Sequence, residues 1–343
     1  MKRLLNTLYV TTPGAYLYKK GETVCVRIKK ENRLSLPIHN LEGIVCFGAV
    51  TCSPPLMGFC GKRNVFISFL SEYGRFLARV QGPVSGNVLL RREQFRRADN
   101  QNQTACIARS FTLAKIANSR VVLQRALRDY PTGANAQSLK QTQTRLSFIM
   151  DKLRNSIPLE EIRGIEGDAA RTYFSMFDHL IQAQKKNFFF HERTRRPPLD
   201  NLNALLSFLY TLLSHDCASA LESCGLDPQV GFLHCDRPGR PGLALDLMEE
   251  FRAFLCDRLA LSLINRKQIK ETGFLKTETG AVLMNDATRK TVLTAYQKRK
   301  QDELIHPFLN ERIEVGLLPF IQSLLLARFL RGDLDAYPPF LWK

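Results

Sequence analysis

The sequence predicts an α+β protein: a small N-terminal β domain followed by a larger all-α domain. Three observations predict it. Short alternating apolar segments fill residues 1–82, helical periodicity fills residues 89–343, and a Gly/Pro/Ser tract with a linker at 83–88 lies between. A chain of 343 residues exceeds the usual single core, and 45% hydrophobic with 24% charged residues excludes a disordered, collagenous or coiled-coil protein.

In the β domain, Val24, Val26 and Ile28 alternate with Thr23, Cys25 and Arg27, and similar runs occupy residues 7–10, 15–18, 43–47, 65–70 and 75–80. Pro13-Gly14, Lys20-Gly21 and Glu31-Asn32 read as turns between them. One helical insertion is expected, with Ser53 as N-cap and Pro54 in the first helical position, running to about Gly61. In the α domain the spacing predicts helices over residues 89–98, 104–129, 136–155, 159–185, 200–222 and 242–266, with further ones near 287–301 and 313–331. A hairpin is expected at 274–283, turning at Thr277-Glu278-Thr279-Gly280.

Charge narrows the partner. Lys+Arg 49 against Asp+Glu 32 leaves a net +17, which attracts polyanions, nucleic acid first among them. Nine cysteines, odd in number and without CxxC, argue against a disulfide framework or a zinc ribbon and read as buried reduced thiols of a cytoplasmic protein. No signal peptide is expected, since Asn6-Thr7 cuts off any apolar run. No membrane span is expected either: residues 43–61 are broken by Ser53-Pro54-Pro55, and the runs at 204–213 and 315–327 are short. Walker A, GxSxG and post-strand GxGxxG patterns are absent, which removes support for nucleotide-cofactor and serine-hydrolase chemistry.

The informative segment is residues 231–252. His234 sits in a Gly/Pro loop just before a helix whose first turns carry Asp246 and Glu249, three apart and so on one face. A neutral imidazole with hard carboxylate oxygens suits Mn²⁺ or Mg²⁺. The structural reading stands beside it, because acids near a helix start complement the macrodipole and loop histidines are commonly just hydrogen-bonded. Glu166 offers a third ligand. Around it Gly164, Gly167, Ala169 and Ala170 thin the helix surface, which fits either tight helix packing or close approach by a phosphate.

Basic residues accompany these acids. Lys185, Lys186, Arg193, Arg195 and Arg196 enclose residues 187–191, Arg237 and Arg240 flank His234, and Arg163 lies one turn before Glu166. Arginines beside a divalent metal are what phosphodiester chemistry requires, since charge builds on an already charged group. Phe188, Phe189 and Phe190 read as core rather than a base-stacking platform, and Cys235 as a packing residue that a soft metal could recruit.

Residues 196–210, 231–234 and 243–252 together resemble the CRISPR-associated endonuclease that integrates new spacers during adaptation. Gly164-Ile165-Glu166-Gly167 matches that family's other signature, and Asn265-Arg266-Lys267-Gln268-Ile269 is similar to a segment of the type I-C branch. The resemblance covers essentially the whole chain. It implies a homodimer joined through the β domains, with a catalytic site in each α domain where Glu166, His234 and Glu249 bind Mn²⁺ or Mg²⁺. The last ligand is Asp in some members and Glu here, so Asp246 either reaches the metal or supports a ligand from behind.

The activity so implied is metal-dependent DNA cleavage and integration in antiviral defence. Its partners would be double-stranded fragments, the CRISPR repeat and a small ferredoxin-like protein bridging two dimers. Arg163, Lys185, Lys186, Arg193, Arg195, Arg196, Arg237 and Arg240 are the expected DNA contacts. Two rivals remain: a non-catalytic basic DNA-binding scaffold, and a helical metal phosphohydrolase built on His215-Asp216 at the polar C-terminal end of an apolar helix.

Overall fold

The computed structural model describes residues 6–63, 65–72, 76–80, 82, 88–129, 131 and 135–342. The chain divides into two compact units, each mixing chain segments. One comprises Met1–Ser85, Leu283–Glu303 and Glu314–Leu317, and the other Gly86–Val282, Leu304–Ile313 and Leu318–Lys343. Linker residues 83–87 and Arg75 of the last expected strand lie outside the described residues. A single cut near residue 85 does not separate the units, because the chain returns to the first one at residue 283.

In the first unit, strands β1 (Asn6–Val10), β2 (Tyr16–Lys20), β3 (Thr23–Ile28), β4 (Glu31–Pro37), β5 (Leu41–Phe47), β6 (Thr51–Cys52), β7 (Phe66–Leu70) and β8 (Phe76–Val80) build two four-stranded sheets. Their orders are β1-β5-β7-β8 and β4-β3-β2-β6. Helix α1 (Pro54–Lys62) is capped as expected, the Ser53 hydroxyl accepting from Leu56 N at 3.4 Å. Its buried Leu56, Phe59 and Cys60 close a core with Leu17, Val24, Ile44 and Ile67.

The expected turn at Glu31-Asn32 is instead the start of β4. Lys29-Lys30, both at positive φ (48° and 70°), make the turn, and the first five β4 residues are exposed, which hides the strand from any alternation test. Gly43 is required for packing: a Cβ there would fall 2.1 Å from the ring of Phe66, its register partner on β7.

The second unit is helical. Its elements are α2 (Val88–Asp99), α3 (Gln101–Asp129), α4 (Ala136–Asp151), α5 (Leu159–Phe174), α6 (Asn201–Ser223), α7 (Gly242–Met248) and α8 (Arg258–Asn265). The expected hairpin follows as β9 (Phe274–Lys276) and β10 (Val282–Met284). Helix α9 (Asp286–Lys300) belongs to the first unit, where buried Lys300 reaches Thr7, and α10 (Leu318–Arg331) to the second.

Three helices differ from expectation. α5 stops at Phe174 rather than near residue 185, and Asp178, in the short 3₁₀ turn Asp178–Leu180, then accepts from Phe190 N at 2.9 Å and ties down the following loop. Phe188 and Phe190 are buried, as expected of core residues. The single helix expected over 242–266 is broken into α7, a π-helix (Arg252–Asp257) and α8. α10 begins at Leu318 rather than residue 313, since Arg312–Glu314 is a strand. Asn265, of the segment similar to the type I-C branch, accepts from Gln182 N at 2.8 Å and donates to Leu180 O at 3.0 Å, fastening the loop after α5.

Among the described residues α6 is the one helix long and apolar enough to cross a bilayer, a length that the 204–213 run did not reveal. It is a core helix, with 72% of its apolar window buried. All nine cysteines are free, and Cys106 and Cys235 are exposed rather than buried.

Candidate active site

The site is built around Asp246. Gly231 and Gly242 lie back to back, so close that a Cβ on Gly231 would sit 2.7 Å from Gly242 C and 2.9 Å from Asp246 Oδ2. Their missing side chains let the loop before α7 lie flat against it. Three successive backbone N–H groups then donate to the fully buried Asp246 carboxylate: Phe232 at 2.6 Å, Leu233 at 2.9 Å and His234 at 2.9 Å. The His234 Nδ1 lies 2.6 Å from Asp246 Oδ1. A carboxylate saturated as an acceptor fixes the proton on Nδ1, leaving the Nε2 lone pair for a ligand. Asp246 therefore orients the histidine from behind.

Glu249 follows α7 and is buried. Burial alone would raise its pKa. The Arg252 guanidinium, 2.5 Å from Oε1, and then the Lys115 ammonium, 2.9 Å from Oε2, outweigh burial and hold the carboxyl well below its usual range. The Lys115 ammonium is the partner of Oε2. Lys115, midway along α3, also ion-pairs with Glu166 on α5. Among the described residues no three acid, histidine or cysteine side chains already surround one cation position; the two glutamates share the Lys115 ammonium.

Glu166, His234 and Glu249 nevertheless line one open cleft of about 700 Å³ with Lys115, Arg163, Arg171, Arg195, Arg240 and Arg252. Behind it, Arg252 lies 4.4 Å over the Tyr210 ring, and Tyr210 and Tyr173 both donate to buried Asp257, at 2.5 and 3.1 Å. Burial pushes Asp257 up to about 6 despite those bonds. The π-helical turn that carries Arg252 and Asp257 puts one on the glutamate and the other on the tyrosines.

The expected DNA contacts divide. Arg163, Arg195 and Arg240 line the cleft; Lys185, Lys186, Arg196 and Arg237 are not among its lining residues. Arg193 lines it but is committed to its own chain, donating to Asn203 Oδ1 and Thr194 O, both at 2.6 Å, and to Ser207 Oγ at 2.9 Å. His215 and Asp216 lie inside α6, not at its end, and neither lines the cleft. The tight-packing reading of the α5 glycines fails, because nothing lies within 4 Å of a Cβ built on Gly164 or Gly167.

Sequence reasoning missed Arg252 and Lys115. Arg252 carried a signal, three residues beyond Glu249. Lys115, 51 residues before Glu166, carried none.

The family model for CRISPR associated protein Cas1 matches residues 8–298. A CRISPR-associated endonuclease Cas1 of Chlorobaculum tepidum is 57% identical over the whole of both chains. Among solved structures, a casposase bound to integration product superimposes with a TM-score of 0.83 at 22% identity, over 99% of this chain and 95% of that one. A Cas6-RT-Cas1–Cas2 complex does so at 0.82 and 22%, over 100% of this chain and 36% of that one. With most of its length matched by the family model and a full-length relative more than half identical, the chain belongs to the CRISPR associated protein Cas1 family.

Proposed function

We propose that this protein is a metal-dependent DNA endonuclease and integrase that inserts new spacers into a CRISPR array. The observation carrying this reading is the convergence of Glu166 from one part of the chain with His234 and Glu249 from another on one arginine-lined cleft. The donor set fits a hard divalent ion, Mn²⁺ or Mg²⁺. Glu249 offers Oε2, held only by the exchangeable Lys115 ammonium, His234 offers Nε2, and Glu166 adds a second carboxylate. Such an ion, when bound, polarises the phosphodiester and stabilises the attacking or leaving oxygen.

The protein's own groups do the rest. Arg163, Arg171, Arg195 and Arg240 hold DNA backbones in line across the cleft, while Asp246 keeps His234 oriented. In strand transfer the 3′-hydroxyl oxygen of a fragment bonds to phosphorus at the repeat boundary. The bond to the neighbouring 3′ oxygen breaks, and that oxygen takes up the proton the nucleophile gives up. With water as nucleophile the same exchange is endonuclease cleavage.

The relatives support the setting. The casposase is bound to integration product and the Cas6-RT-Cas1–Cas2 assembly pairs a Cas1 with a Cas2, which supports DNA and a Cas partner for this chain; the homodimer, the small ferredoxin-like character of the partner and the cytoplasmic setting are proposed from the family resemblance alone. Replacing Glu166, His234 or Glu249 singly by Ala should abolish strand transfer and cleavage while DNA binding, measured by fluorescence anisotropy, persists. A purely architectural scaffold would keep full strand transfer in all three variants.

A further inference from the structure

Resting on the metal-centre reading above, we propose that Lys115 is a resident cation of the site: it holds Glu166 and Glu249 together, competes with the divalent ion for them, and passes to DNA phosphate when that ion binds. The two cations of the site are not equivalent. Arg252 is locked from behind by the Tyr210 ring and pairs with Glu249 Oε1 alone. Lys115 pairs with both glutamates, taking Glu249 through Oε2, the oxygen that Arg252 leaves to it.

Lys115 also borders open space. Its side chain lines the open cleft on one side and, on the other, a cavity of about 20 Å³ walled by Ser119, Ala169, Tyr173, Tyr210 and Asp257. A flexible four-carbon stem with a point charge suits this position, where a planar, stacked guanidinium like that of Arg252 would be fixed.

Charge favours the exchange, since the third carboxylate, Asp246, is already taken up by His234 and three backbone N–H groups. Glu166 and Glu249 balance Lys115 and Arg252. A divalent ion on the same carboxylates overcharges the site unless Lys115 gives way, and the nearest anion then available in a DNA-loaded cleft is a phosphate. Competition of this kind sets metal affinity, not only turnover.

The test is Mn²⁺ titration by calorimetry on the full-length protein without DNA, comparing wild type with Lys115→Met and Lys115→Gln. The expected result is tighter Mn²⁺ binding in both variants, by on the order of tenfold, the usual worth of one nearby charge. Both should melt lower than wild type in chelator and gain more from saturating Mn²⁺. Their affinity for a short DNA duplex should fall with Mn²⁺ present and change little in chelator. Lys115→Gln keeps a hydrogen-bonding head, so a folded variant is at hand should Met at this position misfold. If wild type binds Mn²⁺ and neither variant binds it more tightly, the Lys115 assignment is overturned and the metal reading stands. If wild type itself binds no Mn²⁺, both fall.

Discussion

Glu249 and Glu250 are neighbours in sequence and both are buried, yet they belong to opposite faces of one segment. Glu249 faces the cleft between Lys115 and Arg252, and these cations hold it ionised. Glu250 faces away, with only neutral partners. Tyr337 Oη donates to it at 2.6 Å, Gln322 Nε2 at 2.8 Å and Phe340 N at 2.9 Å, and burial lifts its carboxyl to about 7 against those bonds. Depth does not separate a chemical acid from a structural one here. The charge of the neighbours does.

The structural face anchors residues 337–342. Asn118, one helical turn beyond Lys115 on α3, donates to Glu250 O at 2.7 Å and Phe340 O at 2.9 Å and accepts from Trp342 N at 2.8 Å. Trp342 lies 4.1 Å from Arg125 and 4.6 Å from Arg258. α3 thus serves both faces, Lys115 on the acids and Asn118 on the segment that backs them.

The sharpest way to break the comparison is to neutralise each acid in turn. With Glu249 as the metal ligand proposed above, Glu249→Gln should cut cleavage by at least about a hundredfold, because the ligand charge is lost. Glu250→Gln should leave activity within about threefold, since an amide can accept from Phe340 and Gln322 while donating to the tyrosine oxygen. Equal losses in a side-by-side nuclease assay would erase the distinction. Truncating the structural acid instead takes the acceptor from Tyr337 Oη and Phe340 N, while Gln322 Nε2 keeps Tyr337 Oη and Pro338 O, so Glu250→Ala should cost roughly 3 kcal/mol in urea unfolding.

Acidity separates the two acids again, with opposite signs. Glu249 is depressed in the fold, so its contribution to stability is present above the unfolded value of 4.5 and is lost as pH falls below it. Glu250 is raised from 4.5 to about 7, so the fold is favoured while the group is protonated, and that advantage disappears as pH climbs from 4.5 to about 7. The span corresponds to roughly 3 kcal/mol at most. Asp257, raised from 3.8 to about 6, adds a loss of the same sign. Unfolding free energy should therefore decline between pH 5 and about 7, and Glu250→Gln should flatten a large part of that decline.

How much of this was legible depends on the interaction. Local signals were readable: Ser53 caps α1 and the Thr277–Gly280 turn joins β9 and β10, whereas the helical face expected for Asp246 and Glu249 is cut short, α7 ending at Met248 with Asp246 on His234 and Glu249 on Lys115 and Arg252. The glycines at 231 and 242 sat in plain view, but that their backbones touch is a tertiary fact. The break between α7 and α8 carries no Gly or Pro, so periodicity predicted one helix; the π-helical turn found there brings Arg252 to Glu249 and Asp257 to Tyr210. Lys115 was invisible because one lysine among 49 cationic residues has no pattern until α3 and α5 pack.

The smallest expected effect falls on the cleft-facing helix. A Cβ at Gly167 would meet no protein atom, and the residue shares a helix face with Arg163, Ala170, Arg171 and Phe174, all of which line the cleft. Glycine inside a helix is unfavourable by about 1 kcal/mol relative to alanine, so Gly167→Ala should stabilise the helical unit by up to that amount. If open space there serves a DNA backbone, each added atom obstructs it. Alanine should then weaken duplex binding about twofold and leucine about tenfold, roughly the scale of one lost close contact. Thermal melts and anisotropy titrations on the same two variants decide the matter. Greater stability with unchanged DNA affinity would make Gly167 an unremarkable surface glycine, and greater stability with graded loss of binding would place the phosphate path directly over α5.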